Sequence, residues 1–454
     1  MKALIIGVGK DKLGSLSKDE PRLLGLSLSE RMIRTAKQVG IDEFVIILPH
    51  SGKEKIKSAD EKRLGVKIIY GECEEEDGVC LLKAKEVLNE KFVVLKAEYV
   101  FDHRILKELA RCDMRSSVIV VVDRKKSSKG EAEVLEKEGR IVNIGKDVEE
   151  SNCIATGIFL CLPKIFSYIE EAVKEGKKTF IDGIDKAARN KDAQVFDITQ
   201  INPYIPSMRK ETKPFWIKVS TREDLTRAKK LLIENASKGR NDLLATYVNK
   251  PIENFIVARL ANTPITPNQI TALTNIIAYI STFLFIKGYL LAASLLTFIV
   301  SFLDGTDGKL SRIKLASSNT GKMEHVFDFL FEHSWYIALA IYLSRTHGIL
   351  AILLSTFAIL FDSLFYHCEQ TFEKVIKERP LTDYGRAEQL FRKFDGRKNS
   401  YIIFILIGVL LNAPFWALVA VSIWSSVSAI FYCSRTILHL YRTDRKLTPR
   451  VYRS

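Results

Sequence analysis

The C-terminal half of the chain sets acidic residues into apolar runs, and an apolar surrounding tolerates such residues only with a partner. Segments at about 269–287, 289–311, 322–343, 348–367, 400–412 and 413–433 read as six membrane-spanning helices. Between the second and third lies SFLDGTDGKLSRIKLASSNTGKMEHVFDFLFEH, from Ser301 to His333. A helix crossing hydrocarbon takes about 20 residues. The apolar run Tyr289–Leu303 supplies 15 and Trp335–Leu343 supplies nine. The spans therefore take in Asp304 and the segment holding Glu324, Asp328 and Glu332, and Asp362 falls at similar depth in the fourth span. A single Asp such as Asp362 reads as a hydrogen bond between helices. Four or five carboxylates cannot all be ionised there without cations, and divalent metal is the expectation.

Charge orients these helices. The loop from Cys368 to Ser400 carries eight Lys and Arg residues and the tail after Cys433 carries six, while the turns on the other side hold Lys287 and Arg345. Basic loops stay inside, so both termini and the N-terminal half are expected in the cytoplasm of a multi-pass cell-membrane protein. The segment 241–262 is amphipathic and is expected along the interface before the first span. The net charge is +14, which suits anionic lipid and anionic substrates here rather than nucleic acid. Seven cysteines show no C-x-x-C pair and no repeated spacing, so unpaired thiols in a reducing compartment are expected. The opening MKALIIGVGK is too short an apolar run for a signal peptide and has no small-residue cleavage pattern.

Residues 1–235 read as a separate α/β domain. KALIIGVG, EFVIILP, VKIIYGE, KFVVLKAEYVF and SSVIVVVDR are apolar strands alternating with helical segments, the pattern of a parallel sheet covered on both faces. The domain plan is thus 1–235, a linker and interfacial helix at 236–268, a transmembrane domain at 269–433, and a basic tail at 434–454.

The N-terminal order resembles the sugar-phosphate nucleotidyltransferases. The resemblance rests on the opening strand with its glycine turn, Pro21-Arg22, LKAEYVFD, TGIF at 156–159 and the closing W-x-x-x-x-T-x-E-D-L at 216–225. The chain departs from that family at the phosphate loop and the metal site. GVGKDKLG has Asp11 where a glycine is expected and Lys12 as its cation; Glu98 stands for one metal-binding Asp and Lys218 for the other. A lysine repels Mg²⁺ rather than coordinating it.

The C-terminal half resembles the CDP-alcohol phosphotransferases, over about 241–433. TPNQIT at 266–271 is followed two spans later by Asp304, Asp307, Gly308, Arg312 and Gly321 at the spacing of D-x-x-D-G-x-x-A-R-x8-G, with Ser311 in place of alanine. The resemblance implies that a CDP-alcohol donates its phosphoalcohol to an acceptor alcohol, such as inositol phosphate or glycerol phosphate, with release of CMP. It implies Mg²⁺ or Mn²⁺, held by three of the acids, a fourth acid as general base, and a homodimer in the lipid bilayer. Asp304 and Asp307 share one helix face. Gly308 lets the nucleotide approach the backbone, Arg312 pairs with phosphate, and Ser311 and Gly321 complete the substrate-binding set.

The second half of the signature is out of register. Four residues after Gly321 comes His325 and eight after it Phe329, whereas Glu324, Asp328 and Glu332 form a stripe spaced by four. Glu324 with Asp328 is the smaller shift, which makes Glu324 the third metal ligand and Asp328 both ligand and base; Asp328 with Glu332 is the other register, and His325 is a further candidate at the original position. Lys398 is either a phosphate ligand or an anchor at the interface. The alternative to an enzyme is a non-catalytic nucleotide-binding or scaffolding membrane protein whose sites have decayed.

Overall fold

The computed structural model describes residues 1–6, 21–48, 59–124, 130–239, 242–316 and 323–447, with backbone alone at 59, 60, 324, 325, 446 and 447. The chain divides into two compact units, one of Met1–Pro203 with Thr212–Leu232 and the other of Tyr204–Glu211 with Ile233–Ser454.

The first unit is built on strands β1 (Lys2–Ile6), β2 (Glu43–Leu48), β3 (Lys67–Glu72), β4 (Phe92–Lys96), β5 (Tyr99–Phe101), β6 (Val118–Asp123), β7 (Glu133–Lys137), β8 (Arg140–Gly145), β9 (Cys153–Cys161), β10 (Ala193–Asp197) and β11 (Trp216–Lys218). Nine of them form one sheet in the order β3-β2-β1-β4-β9-β6-β10-β8-β7, and β11 pairs with β5. Alternate residues feed two cores. Leu4, Ile6, Val45, Ile47, Phe92 and Val94 join Phe166, Ile169, Phe180 and Ile184 of helices α4 (Ile165–Lys174) and α5 (Phe180–Arg189). Ala3, Ile5, Phe44, Ile46, Val93 and Leu95 join Met32 and Ile33 of α1 (Leu28–Lys37) and Ile105, Leu106 and Leu109 of α3 (His103–Ala110). Strands buried on both faces need continuous apolar sequence.

The expected all-parallel sheet is a mixed one. β1, β2, β3 and β4 run parallel, as do β6 and β10, but β9 lies antiparallel between β4 and β6. Every residue of β9 is buried, so a central antiparallel strand carries the same unbroken apolar run as a parallel one.

A second correction concerns the cysteines. Cys73, after β3, and Cys80, in α2 (Asp77–Leu82), are disulfide-bonded with Cα atoms 5.4 Å apart. Chain reversal between β3 and α2 brings the two within bridging range, and a six-residue gap gives no motif from which to foresee it. The other five cysteines are free.

The second unit is helical: α6 (Lys250–Leu260), α7 (Pro267–Lys287), α8 (Leu290–Lys314), α9 (Glu324–His347), α10 (Ile349–Val375), α11 (Lys398–Leu410) and α12 (Pro414–Leu447). Five of these, α7 to α10 and α12, are long and apolar enough to cross a membrane; α11 is apolar but has 13 residues. The expected third span thus begins inside the acidic stripe. TPNQ is a helix start: Thr266 accepts from the Gln269 N–H, the Gln269 side chain accepts from the Thr266 N–H, and Pro267 occupies the first turn. The core is aromatic and aliphatic, with Phe285, Phe331, Trp335, Leu339, Tyr401 and Leu418 buried, and Trp335 Nε1 donates to the Ala278 carbonyl at 3.0 Å. Outside, Ile276, Ile280 and Phe283 on α7, and Leu353, Phe357 and Leu360 on α10, are exposed.

In the first unit Gly157 has φ +77°, and a Cβ there would lie 2.6 Å from the Tyr99 ring. Gly157→Ala is expected to destabilise this unit by about 1–3 kcal/mol, from strain at positive φ and displacement of Tyr99. Limited proteolysis against temperature would show the cleavage midpoint of residues 1–232 falling while that of the helical unit stays put.

Candidate active site

Asp304 and Asp307 lie in the second half of α8, one turn apart. Asp307 is buried, with Oδ2 accepting from the Thr271 hydroxyl at 2.6 Å and Oδ1 from the Gly308 N–H at 2.5 Å. Thr271 is the last residue of TPNQIT, so the motif that starts α7 also fixes the rotamer of Asp307.

Asp304 meets Lys398, the first residue of α11: Nζ lies 2.6 Å from Asp304 Oδ2 and 3.0 Å from Glu332 Oε1. One ammonium thus bridges carboxylates from α8 and α9 at the end of the bundle where α11 begins. Lys398 Nζ also stands 5.3 Å from the centre of the Phe331 ring. Asp328 lies one turn before Glu332 on α9 and is half-buried. Glu324 and His325 open α9 with only their backbone described, and Gly321 lies outside the described residues.

Arg312 donates through Nε to the Ala236 carbonyl at 2.7 Å, and its guanidinium lies 3.4 Å from where a Gly308 Cβ would stand. Ser311 Oγ donates to the Ala316 carbonyl at 2.6 Å, closing the end of α8. On α10, Asp362 reaches His333 of α9, with Oδ2 3.3 Å from Nε2, the helix–helix contact expected of it.

Two features of this end carry no family letter. Lys309 is buried on α8 and pairs with Glu253 of α6 at 2.8 Å, donating also to Asn254 Oδ1 at 2.8 Å. Gly305 makes room for that pair, since a Cβ there would lie 2.1 Å from Glu253 Oε1. Burial pushes the Glu253 carboxyl up from its ordinary range, and Lys309 draws it partly back. The segment expected to lie along the interface is thus a helix that docks its polar face on α8, with Tyr247, Val248 and Phe255 exposed. A glycine between the two acids of D-G-T-D, one turn before a lysine on the same helix face, was the available hint.

Among the described residues, no three His, Cys, Asp or Glu side chains are already gathered to hold a metal. The donors nonetheless suit a hard divalent cation, being carboxylate oxygens, and the ammonium bridging Asp304 and Glu332 shows that this corner collects positive charge.

The first unit has its own acidic cluster. Glu98 follows β4, Lys218 ends β11, and the register pairs Lys218 with Tyr99. Lys218 Nζ donates to the Gly130 carbonyl at 2.9 Å and lies 3.7 Å from Glu131 Oε2 and 3.9 Å from Glu98 Oε1. The Tyr99 hydroxyl donates to Glu131. Burial pushes the Glu131 carboxyl up, while Tyr99 and Lys218 hold it down. Asp11 and Lys12 of the expected phosphate loop lie outside the described residues.

Residues 264–432 match the family model for CDP-alcohol phosphatidyltransferase. The chain is 28% identical over 411 residues to the bifunctional IPC transferase and DIPP synthase of Aquifex aeolicus, covering 86% of this chain and 90% of that protein. It is 26% identical over 422 residues to the protein of the same name from Archaeoglobus fulgidus, covering 91% and 79%. Among solved structures, the inositol-1-phosphate CTP transferase from T. maritima covers 51% of this chain and 94% of its own, with TM-score 0.44 and 20% identity.

Glu253→Ala would strand the buried Lys309 charge and is expected to destabilise the helical unit by about 3–5 kcal/mol. Adding Lys309→Met should recover most of that loss, as read by thermal unfolding in detergent; equal instability of single and double variants would show that packing, not charge, is at stake.

Proposed function

We propose, from the premise that residues 264–432 are a CDP-alcohol phosphatidyltransferase domain, that phosphoalcohol transfer takes place at the α8–α9–α11 corner of the bundle. The chain is an enzyme of CDP-alcohol phosphotransfer: the acceptor hydroxyl attacks the phosphorus of the donor's phosphoalcohol, the pyrophosphate bridge breaks, and CMP leaves. The observation that carries the reading is the Lys398 ammonium held between Asp304 and Glu332, 2.6 and 3.0 Å from their oxygens. Carboxylates from two helices converge there, beside the D-x-x-D-G segment.

The residues that would hold Mg²⁺ or Mn²⁺ are Asp304, Asp307 and Asp328, with Glu324 or Glu332 as the fourth. When bound, the metal supplies charge neutralisation for the pyrophosphate and its leaving oxygen. Thr271 orients Asp307 for this. Gly308 leaves its helix face open to the nucleotide, and the Arg312 guanidinium beside it pairs with phosphate. Half-buried Asp328 takes the proton from the acceptor hydroxyl. Lys398 neutralises Asp304 and Glu332 in the resting site and competes there with divalent cation. Its bridge to Glu332 supports Glu332 over Glu324 as the further ligand beside Asp304.

The rest of the reading follows from length and charge. Helix α11 spans about 20 Å against a hydrocarbon thickness of about 30 Å, so as a sixth crossing it starts below the cytoplasmic headgroups. That puts Lys398 and the acids within reach of water-soluble substrate. The basic loop before it and the basic tail support both termini in the cytoplasm, with apolar faces such as Ile276, Ile280 and Phe283 toward lipid, or toward a second copy in a homodimer. The acceptor is an alcohol such as inositol phosphate or glycerol phosphate. The relatives named as IPC transferase and DIPP synthase support a polyol product.

CMP release across a panel of CDP-alcohols and acceptors tests the assignment. Asp304→Asn and Asp328→Asn should each reduce turnover by about 10²–10⁴-fold; a panel with no CMP release in either metal would favour a non-catalytic membrane protein. Glu332→Gln should be crippled and Glu324→Gln mildly affected, the reverse outcome restoring the other register. Lys398→Met should tighten Mn²⁺ binding about tenfold by paramagnetic resonance, as the competing ammonium goes.

A further inference from the structure

The fold that the first unit resembles binds its nucleotide through a divalent cation, and the residues present here do not fit one. Lys218 stands at the position expected of a metal ligand, on β11 beside Glu98, and its ammonium lies among three oxygen donors: the Gly130 carbonyl at 2.9 Å, Glu131 at 3.7 Å and Glu98 at 3.9 Å. Those are the acceptors a cation would use. Nor is the lysine a surface side chain that happens to fold over the acids. Strand pairing of Lys218 with Tyr99 fixes its origin, and Tyr99 in turn donates to Glu131. The Glu131 side chain is 3% exposed and that of Lys218 is 21% exposed. A divalent ion sits about 2.0–2.1 Å from its oxygens. It could reach both carboxylates only by displacing the ammonium from between them.

We infer that Lys218 is a built-in cation that has replaced the divalent metal of the first unit, so that this chain does not make its own CDP-alcohol. Forming that donor from CTP requires a phosphate oxygen of a phosphorylated alcohol to attack the α-phosphorus, with the bond to the β-phosphate breaking and pyrophosphate leaving. A fixed monovalent ammonium already neutralised by two carboxylates offers the triphosphate no comparable charge. A separate cytidylyltransferase must therefore supply the CDP-alcohol that the helical unit consumes. The inference of supply rests on the phosphotransfer assigned above; the inference about Lys218 does not.

The two are separated by three measurements on the full-length protein. With CTP and a panel of alcohol monophosphates, including inositol 1-phosphate and glycerol 3-phosphate, in Mg²⁺ or Mn²⁺, pyrophosphate release should stay at background, while the same preparation releases CMP from supplied CDP-alcohols. Absence of CMP release would sink the phosphotransfer and the supply role together, leaving the lysine assignment to the metal measurement. For that, Asp304→Asn/Asp307→Asn/Asp328→Asn protein silences the helical site. Its Mn²⁺ binding by paramagnetic resonance should be unchanged by Glu98→Gln/Glu131→Gln, and Lys218→Asp should add one bound ion per chain. Wild-type pyrophosphate release from CTP, or Mn²⁺ lost on Glu98→Gln/Glu131→Gln, overturns the inference.

Discussion

A carboxylate removed from water needs a cation, and this protein meets that need with lysines in each of its units. Lys398 bridges Asp304 and Glu332, Lys309 pairs with Glu253, and Lys218 stands between Glu98 and Glu131. The three differ in what else holds them. Lys309 is buried with a single acid and an amide, which makes it structural. Lys218 is pinned by strand register and a backbone carbonyl. Lys398 sits at a helix start between two acids from different helices, where a stronger cation can compete.

The same constraint shapes the loop between α10 and α11. Glu369 of α10 is met by Arg397 at 3.4 Å and Arg209 at 3.4 Å, and buried Asp395 by Arg392 at 3.0 Å, Arg397 at 3.1 Å and the Tyr432 hydroxyl at 3.0 Å. Glu388 is buried against Arg435 and His439. Three of the eight loop residues that read from sequence as positive charge for a membrane face, Arg392, Arg397 and Lys398, are therefore also internal counter-ions. Breaking one partner of such a pair costs far more than the pair itself contributes. The loop fixes where α11 begins, and with it where Lys398 meets the acids.

Legibility followed from how local each determinant is. Helix limits in the second unit depend on apolar length and on caps, and the Thr266–Gln269 box and the six apolar segments were open to sequence reasoning. The acid pair on α8 was too, since i and i+3 share a face by geometry alone. Partners that meet across elements were not: Thr271 with Asp307, Gly305 with Glu253, and Lys398 with Glu332 are 36, 52 and 66 positions apart. The direction of β9 escaped for a related reason, because burial on both faces, not strand direction, sets its composition. The Cys73–Cys80 bond depends on a local reversal that no spacing rule encodes.

The register of the acidic stripe shows how a neighbour can bear on what a motif leaves open. Glu324, Asp328 and Glu332 are equivalent along a helix face, and counting from Gly321 prefers the nearer pair because it shifts the pattern least. Counting treats the connection after α8 as rigid. The structure adds a point from outside that connection, the first residue of α11, and an ammonium within 3.0 Å of both Asp304 and Glu332 brings those two acids to one cation-sized space. A ligand set must share such a space, whatever its spacing in sequence. Asp328, one turn earlier, belongs to both registers, so it stays beside that space however the loop is aligned.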